Sequence, residues 1–207
     1  MSVDIDFFFD LSSPWTRLAF HNIGPALAGL PARVTLRPFL VGGVFNAVNP
    51  TVYQMRAEGS QRLAQSFAWL KEWAELAGVA MNFPSPHHPL KSVAPMRACC
   101  ALEHDQPALH RFAAAAFEAY FNHQRNLDDP VVVAEVADEC GLDGAALTRA
   151  AAEQPAKDRL RANTEEAVVR GAFGSPFLFL GDYRYFGNDQ LPLLRQRVER
   201  IAAEAGQ

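Results

Sequence analysis

The sequence predicts an α/β fold in which a β-α-β unit comes first, a long run of helices follows, and a β-hairpin with a closing helix ends the chain. Residues 3–9 form an apolar run typical of a buried strand, apolar residues at helical spacing follow from Trp15, and strand-like alternation returns at 33–39. Near the other end, residues 177–180 and 183–186 flank a Gly-Asp hairpin turn. Because β-α-β crossovers are right-handed, the first two strands are expected to be parallel.

Between these ends, helical periodicity and abundant alanine predict helices that Gly, Pro and Asp separate. The predicted helices cover residues 13–29, 51–77, 92–103, 108–123, 130–140, 144–153, 155–171 and 190–205. Residues 40–50, rich in Gly and Asn, are predicted to be a loop after the carboxyl end of the second strand, where α/β proteins place ligands. We therefore expect one α/β domain built from residues 1–50 and 155–207, with an all-helical inserted domain at 51–154.

The composition is that of an ordinary globular protein. The 207 residues are 49% hydrophobic and 20% charged, enough for one domain that carries a large insertion. A net charge of −4 gives no reason to expect nucleic acid or an anionic membrane as a partner. The sequence shows no apolar stretch of bilayer length and no basic N-terminal leader, so a cytoplasmic location is expected.

The cysteines and a histidine pair suggest neither redox chemistry nor a metal. Cys99, Cys100 and Cys140 make an odd set, and the adjacent pair falls in an Ala-rich helical pattern, so these thiols are predicted to fill core space in a reducing compartment. His87 and His88 have no third ligand at a suitable spacing. The sequence therefore predicts no metal site.

The first helix is predicted to begin with a hydroxyl at its positive end. Ser12 or Ser13 would cap it, and Pro14 fits its first turn. A hydrogen bond to a charged acceptor contributes about 1.5–3 kcal/mol and a helix terminus about 0.3–2 kcal/mol. Lowering a thiol pKa by about two units needs roughly 2.7 kcal/mol, so this hydroxyl can stabilise a ligand's thiolate. A nucleophilic serine would need an activating base, and the nearest histidine, His21, lies two turns along the helix.

Two further segments carry polar groups suited to a small peptide ligand. If the bond between Ser175 and Pro176 is cis, Ser175 can offer its N–H and C=O to an extended ligand. Asn188 and Asp189 precede the closing helix, whose N-terminus can hold a carboxylate, and Asp189 can pair with an ammonium. Glutathione has this peptide backbone, carboxylate, ammonium and sulfur. Both segments are also compatible with simpler roles as a turn and a helix cap.

Several segments together resemble a known group of enzymes. Ser13-Pro14-Trp15-Thr16 stands where thioredoxin-like proteins carry Cys-x-x-Cys. With its Phe-rich strand and Asp, this tract resembles the kappa-class glutathione transferases and, within that group, the 2-hydroxychromene-2-carboxylate isomerases. Residues 172–179 resemble the family segment that holds its cis-proline, 186–189 resemble its Trp-Gly-(Asn/Ser)-Asp, and 126–141 resemble its Asp-Pro-x-x-Leu helix.

The resemblance implies a thioredoxin-like fold with a large helical insertion and a glutathione-dependent cis–trans isomerase of a conjugated aromatic carboxylate. It also implies homodimers and glutathione as cofactor. The Ser-Pro step favours Ser13 over Ser12 as the catalytic hydroxyl. The residues implied to bind glutathione are Asn49, Ser175, Pro176, Asn188 and Asp189.

The substrate pocket is the least determined part. Three aromatic residues near the strands are candidates for an apolar acceptor pocket, although aromatics in such places are more often core: Trp15, Phe45 and Tyr185. Three basic residues are candidates to pair with a substrate carboxylate: Arg37, Lys71 and Lys91.

Three alternative functions remain at the level of sequence. A kappa-class-like transferase or peroxidase would consume glutathione, whereas an isomerase would return it. A disulfide oxidoreductase is disfavoured because residues 13–16 contain no cysteine. A non-enzymatic thioredoxin-like binding protein would keep its function when Ser13 is replaced by alanine.

Overall fold

A computed structural model describes residues 2–49 and 61–205. Within them, four strands form one mixed sheet in the order β2-β1-β3-β4. The strands are β1 (Val3–Phe9), β2 (Ala32–Pro38), β3 (Phe177–Leu180) and β4 (Tyr183–Phe186). Strand β1 is parallel to β2 and antiparallel to β3, and β3 is antiparallel to β4. The predicted β-α-β start and the terminal hairpin are confirmed.

The helices of the described ranges follow the predicted series closely. They are α1 (Pro14–Leu27), α2 (Val41–Val48), α3 (Gln61–Ala77), α4 (Val93–Ala101), α5 (Gln106–Phe121), α6 (Pro130–Glu139), α7 (Gly144–Ala152), α8 (Gln154–Val169) and α9 (Leu191–Ala205). The predicted helix at 51–77 is present from Gln61 onward, and its first part, 51–60, lies outside the described residues. The other predicted helices end within two residues of their expected bounds.

The prediction of a loop at 40–50 is wrong, because Val41–Val48 form helix α2. Val41 and Val44 are buried on the same core as Phe8 and Phe39. Asp10 accepts a hydrogen bond from the Val41 N–H at 2.8 Å, which satisfies a donor in the first turn. Tertiary packing and this side-chain acceptor therefore outweigh the low helix propensity of two glycines and an asparagine.

Core residues cover both faces of the sheet. Phe7 and Phe9 pack in the main core with residues of the helical segment, including Phe112 and Phe117 of α5. Phe8 points to the other face and packs with Phe39, which follows β2, and with residues of β3, α2 and α8. The main core is thus continuous across the predicted boundary of the insertion, and the division into two domains stays a prediction.

The packing of α2 on α8 can be tested at Gly43. A Cβ at this position would lie 2.9 Å from the Thr164 Cγ2 methyl, and the β-branched Thr164 cannot easily turn away. Inside a helix, alanine is normally more stabilising than glycine by roughly 0.5–1 kcal/mol. We expect Gly43→Ala to show no such gain in stability, because its methyl group would meet Thr164, and we expect the gain to appear in a Thr164→Ser background. Serine keeps the hydroxyl that accepts from the Leu40 N–H and lacks the methyl. Urea unfolding of the four proteins measures this coupling; additive effects would contradict the contact.

Candidate active site

Ser13 is the N-cap residue of α1. Its Oγ accepts from the Thr16 N–H at 3.2 Å and donates to the Ser175 carbonyl oxygen at 3.0 Å. The Ser12 N–H instead donates to Asp10 Oδ1 at 2.9 Å. Of the two serines that the sequence offered as caps, Ser13 therefore fills that position, and its half-buried hydroxyl lies at the positive end of the helix.

The Ser175–Pro176 segment lies against this helix start, and its peptide bond is cis. Ser175 Oγ accepts from the Asp10 N–H at 3.1 Å and lies 2.8 Å from Thr16 Oγ1. Within the described residues, the Ser175 N–H has no hydrogen-bond acceptor. The structure therefore brings the predicted residues Ser13, Ser175 and Pro176 together and leaves one strand-like donor available.

Asn188 and Asp189 lie in a 3₁₀ turn, Asn188–Gln190, immediately before α9. Asn188 is buried, and its Oδ1 accepts from Asn22 Nδ2 of α1 at 2.8 Å. Asp189 is exposed and makes no ion pair with the side chains of residues 2–49 and 61–205. Asn188 thus connects this turn to α1, whereas the Asp189 carboxylate is accessible to a ligand cation.

Asn49 ends α2 and reaches the segment before the cis-proline. Its Nδ2 lies 3.5 Å from the Phe173 carbonyl oxygen, at the long limit for a hydrogen bond. The helix α2 that sequence patterns missed is therefore what carries Asn49 from the end of β2 to this place.

Comparison with known proteins decides the family. The profile of the DsbA-like thioredoxin domain matches residues 4–199. The chain belongs to the DsbA-like thioredoxin family. A 2-hydroxychromene-2-carboxylate isomerase of Pseudomonas putida is 23% identical over 200 residues, which are 97% of this chain and 96% of that protein. Glutathione S-transferase kappa 2 of Caenorhabditis elegans is 22% identical, covering 91% of this chain and 88% of its own length.

A solved 2-hydroxychromene-2-carboxylate isomerase has the same fold as this DsbA-like chain, with a TM-score of 0.81 at 22% identity and 98% coverage of both chains. The fold is therefore thioredoxin-like, with a mixed sheet and many helices, as predicted. The resemblance to the isomerases and the kappa-class transferases is confirmed by these relatives, which are enzymes by name.

The three aromatic residues predicted for the substrate pocket lie in three different hydrophobic clusters. Trp15 packs with Leu18 and Leu70, and Phe45 packs on the core that contains Phe8. Tyr185 is 8% exposed and belongs to the main core. Their role in a pocket stays a prediction.

Two other aromatic rings lie beside the candidate site and were missed from sequence. Phe173 and Phe186 are 46% and 37% exposed, and their ring centroids are 4.6 Å apart. A Cβ on Gly174 would lie 2.7 Å from Phe186 Cε2, so glycine there lets this ring cross the chain that leads to the cis-proline. In the sequence, Phe173 directly precedes Gly-Ser-Pro and Phe186 directly precedes Gly-Asn-Asp, and this adjacency is the one feature that could have identified them. Hydrophobicity and residue spacing do not distinguish these two rings from core aromatic residues.

Arg37 is already engaged by other protein side chains. Its Nε lies 3.0 Å from Glu103 Oε1, its guanidinium also pairs with Glu166, and it lies over the Phe8 ring. The Arg37 side chain is only 15% exposed. Among the three basic candidates for a substrate carboxylate, Arg37 therefore serves as a structural cation, while Lys71 and Lys91 are exposed.

The thiols of this DsbA-like chain are placed for packing. Cys99 and Cys100 are buried and unpaired, as predicted, and Cys140 is half-buried. Burial raises the pKa of the Cys99 thiol well above its usual range and that of Cys100 to about 12. Burial also raises the pKa of Cys140. Reactive cysteines have a lowered pKa, so these three do not resemble the nucleophiles of disulfide exchange.

A hollow of about 790 Å³ is bordered by residues of α1, β2 and α5. It is mainly apolar and is bordered by Phe20, Ile23, Leu36, His110 and Phe117. None of the predicted site residues lines it. We place the candidate active site at Ser13, because the hydrogen-bonding groups converge there and not in this hollow.

The described residues hold neither a candidate metal cluster nor a membrane-spanning helix. No cluster of three or more His, Cys, Asp or Glu side chains suited to a metal ion occurs in residues 2–49 and 61–205. In those same ranges, each helix is either too short or too polar to cross a bilayer.

Proposed function

We propose that this protein is a glutathione-dependent cis–trans isomerase acting on a conjugated aromatic carboxylate. The observation that carries the proposal is the Ser13 hydroxyl, which lies at the N-terminus of α1 and 3.0 Å from the Ser175 carbonyl before the cis-proline. The name of the Pseudomonas putida relative supports the reaction class, and the name of the Caenorhabditis elegans relative supports the use of glutathione.

The side chains and backbone groups present fit glutathione. The Ser175 N–H and C=O suit strand-like pairing with the peptide, and the Asp189 carboxylate suits the ammonium. Asn49 Nδ2 and the backbone N–H groups at the N-terminus of α9 are hydrogen-bond donors suited to the carboxylates of glutathione. The sulfur is then proposed to face Ser13.

The Ser13–Ser175 hydrogen bond sets the size of the effect. Ser13 has one hydroxyl proton, so donating to a thiolate requires it to release the Ser175 carbonyl. A bond to a charged group contributes about 1.5–3 kcal/mol and a neutral one about 0.5–1.5 kcal/mol, a net gain of about 1–1.5 kcal/mol. With about 0.3–2 kcal/mol from the helix terminus, the thiol pKa falls by about 1–2.5 units. The released Ser175 carbonyl becomes an acceptor for a ligand N–H.

Glutathione held by Ser175, Asn49 and Asp189 would supply a nucleophilic sulfur for reversible addition to the conjugated double bond, and it would be regenerated unchanged. Ser13 stabilises the sulfur as an anion and transfers no proton itself, which is why no general base is required beside it. The exposed rings of Phe173 and Phe186, tilted by 52° to each other, offer an apolar surface next to Asn49 for an aromatic acceptor. The proposal includes the pocket residues predicted from sequence, a homodimer and a cytoplasmic location.

The experiment is an isomerisation assay with 2-hydroxychromene-2-carboxylate, followed by ultraviolet absorbance, with and without glutathione. We expect turnover that requires glutathione and leaves its concentration unchanged. Absence of glutathione-dependent turnover would remove the isomerase assignment.

A kappa-class-like transferase or peroxidase is the second candidate, favoured by the Caenorhabditis elegans relative. The same chain would then consume glutathione in step with an electrophile or a peroxide. Titrating the remaining thiol at the end of each assay distinguishes the two.

A further inference from the structure

Asp10 lies between β1 and α1 and has no exposed surface. Its Oδ1 accepts from the Ser12 N–H at 2.9 Å and its Oδ2 from the Val41 N–H at 2.8 Å. The Ser92 side chain also favours the ionised form of this carboxyl and so lowers its pKa. The two oxygens are therefore held by backbone donors from the turn before α1 and from the first turn of α2.

The backbone of Asp10 contacts the candidate site directly. Its N–H donates to Ser175 Oγ at 3.1 Å, and its C=O accepts from the Ser13 N–H at 3.2 Å. The same residue thus holds the turn that presents Ser13, the segment of the cis-proline and the start of α2. Since α2 ends at Asn49, its position also decides where Asn49 lies.

Burial of a carboxylate is unfavourable unless hydrogen bonds compensate. Burial raises the pKa of the Asp10 carboxyl, and the N–H groups of Ser12 and Val41 oppose that rise. If the turn before α1 and the start of α2 were exposed, water could satisfy their N–H groups without a buried carboxylate. The energetic cost of burying the Asp10 carboxylate therefore points to a role in fixing the geometry of these two segments.

We propose that Asp10 is the positioning residue of the glutathione site, which holds Ser13, Ser175 and α2 in one arrangement. This inference rests on the proposed binding of glutathione. Asp10 acts through these groups and is not itself placed against the ligand.

The test is Asp10→Asn, in which an NH₂ group replaces one oxygen and must face a backbone N–H. We expect the pKa of the bound glutathione thiol to rise by about one unit and the Kd for glutathione to increase about tenfold. The matched control is Glu103→Gln, another buried carboxylate, which pairs with Arg37 and Arg159 away from Ser13. It is expected to lower stability and to leave the thiol pKa and Kd unchanged.

A second variant covers the case in which Asp10→Asn does not fold. Val41→Pro removes the N–H that Asp10 Oδ2 accepts, and proline suits this first helical position because Leu40 is extended. We expect a larger Kd for glutathione, because the displaced α2 would carry Asn49 out of place, and an unchanged pKa of the bound thiol. A wild-type chain that fails to bind glutathione would overturn both proposals. If wild type binds and the variants match Glu103→Gln, only the role of Asp10 falls.

Discussion

Ser13→Ala is expected to raise the pKa of the bound glutathione thiol by about one unit, the equivalent of about 1.4 kcal/mol. The variant removes the Ser13 hydroxyl, whose hydrogen bond to the thiolate is more favourable than its bond to the Ser175 carbonyl by about 1–1.5 kcal/mol. The thiolate population near neutral pH, and turnover with it, should fall by up to about tenfold, with a larger loss if the hydroxyl also stabilises the transition state. A pH titration of thiolate absorbance in the complex measures the shift, and calorimetry should show that glutathione still binds.

The control for this variant separates the loss of a helix N-cap from the loss of the donor to the thiol, so it removes an N-cap far from Ser13 in the sequence. Asp143→Ala removes the N-cap of α7, whose carboxylate accepts from the Ala146 N–H at 2.7 Å. Both variants should lose about 1 kcal/mol of unfolding free energy, but only Ser13→Ala should alter the thiol. An unchanged thiol pKa in Ser13→Ala would mean that Ser13 is only a cap.

Arg37→Met is expected to lower the free energy of unfolding by about 3 kcal/mol, because removing one partner of a buried ion pair leaves the other charge uncompensated. The Glu103 side chain is 6% exposed, and it would keep Arg159 and Asn163 as partners. We therefore place the loss of unfolding free energy at the low end of the range found when one partner of a buried ion pair is removed. Guanidinium unfolding measures it. The folded variant should bind glutathione and the aromatic carboxylate as wild type does.

The matched control is Arg33→Met on the same strand. Arg33 pairs with Asp4, but both side chains are more than 60% exposed, and exposed pairs contribute about 0–1 kcal/mol. If Arg37→Met kept wild-type stability and instead raised the KM for the carboxylate substrate, Arg37 would belong to the substrate site after all.

The sequence predicted most of the fold because its local signals agree with the final packing. The run 3–9 is a strand whose last three residues, 7–9, are buried on both faces of the sheet, and the Gly-Asp turn returns β3 into β4 as expected. Helix α2 was missed because its stability comes from distant groups, the Asp10 carboxylate and the Phe8–Phe39 core, which no local propensity includes.

For the candidate site, the sequence predicted Ser13, Ser175 and Pro176 but not the contacts of Asp10, Phe173 and Phe186 around them. Capping is a local rule, so the sequence could offer Ser12 or Ser13 as the cap, and the Ser-Pro step of the resembling enzymes favoured Ser13. The contact of Ser13 with Ser175 joins residues 162 positions apart, and the burial of Asp10 depends on α2. Phe173 and Phe186 become neighbours only when β4 folds back beside the cis-proline.

The most direct measurement is the pKa of the thiol of glutathione bound to the wild-type protein, followed by thiolate absorbance against pH. The account predicts a value at least about one unit below the ordinary thiol pKa of about 8.5. A bound thiol that titrates at its ordinary value, or glutathione that does not bind, would contradict it.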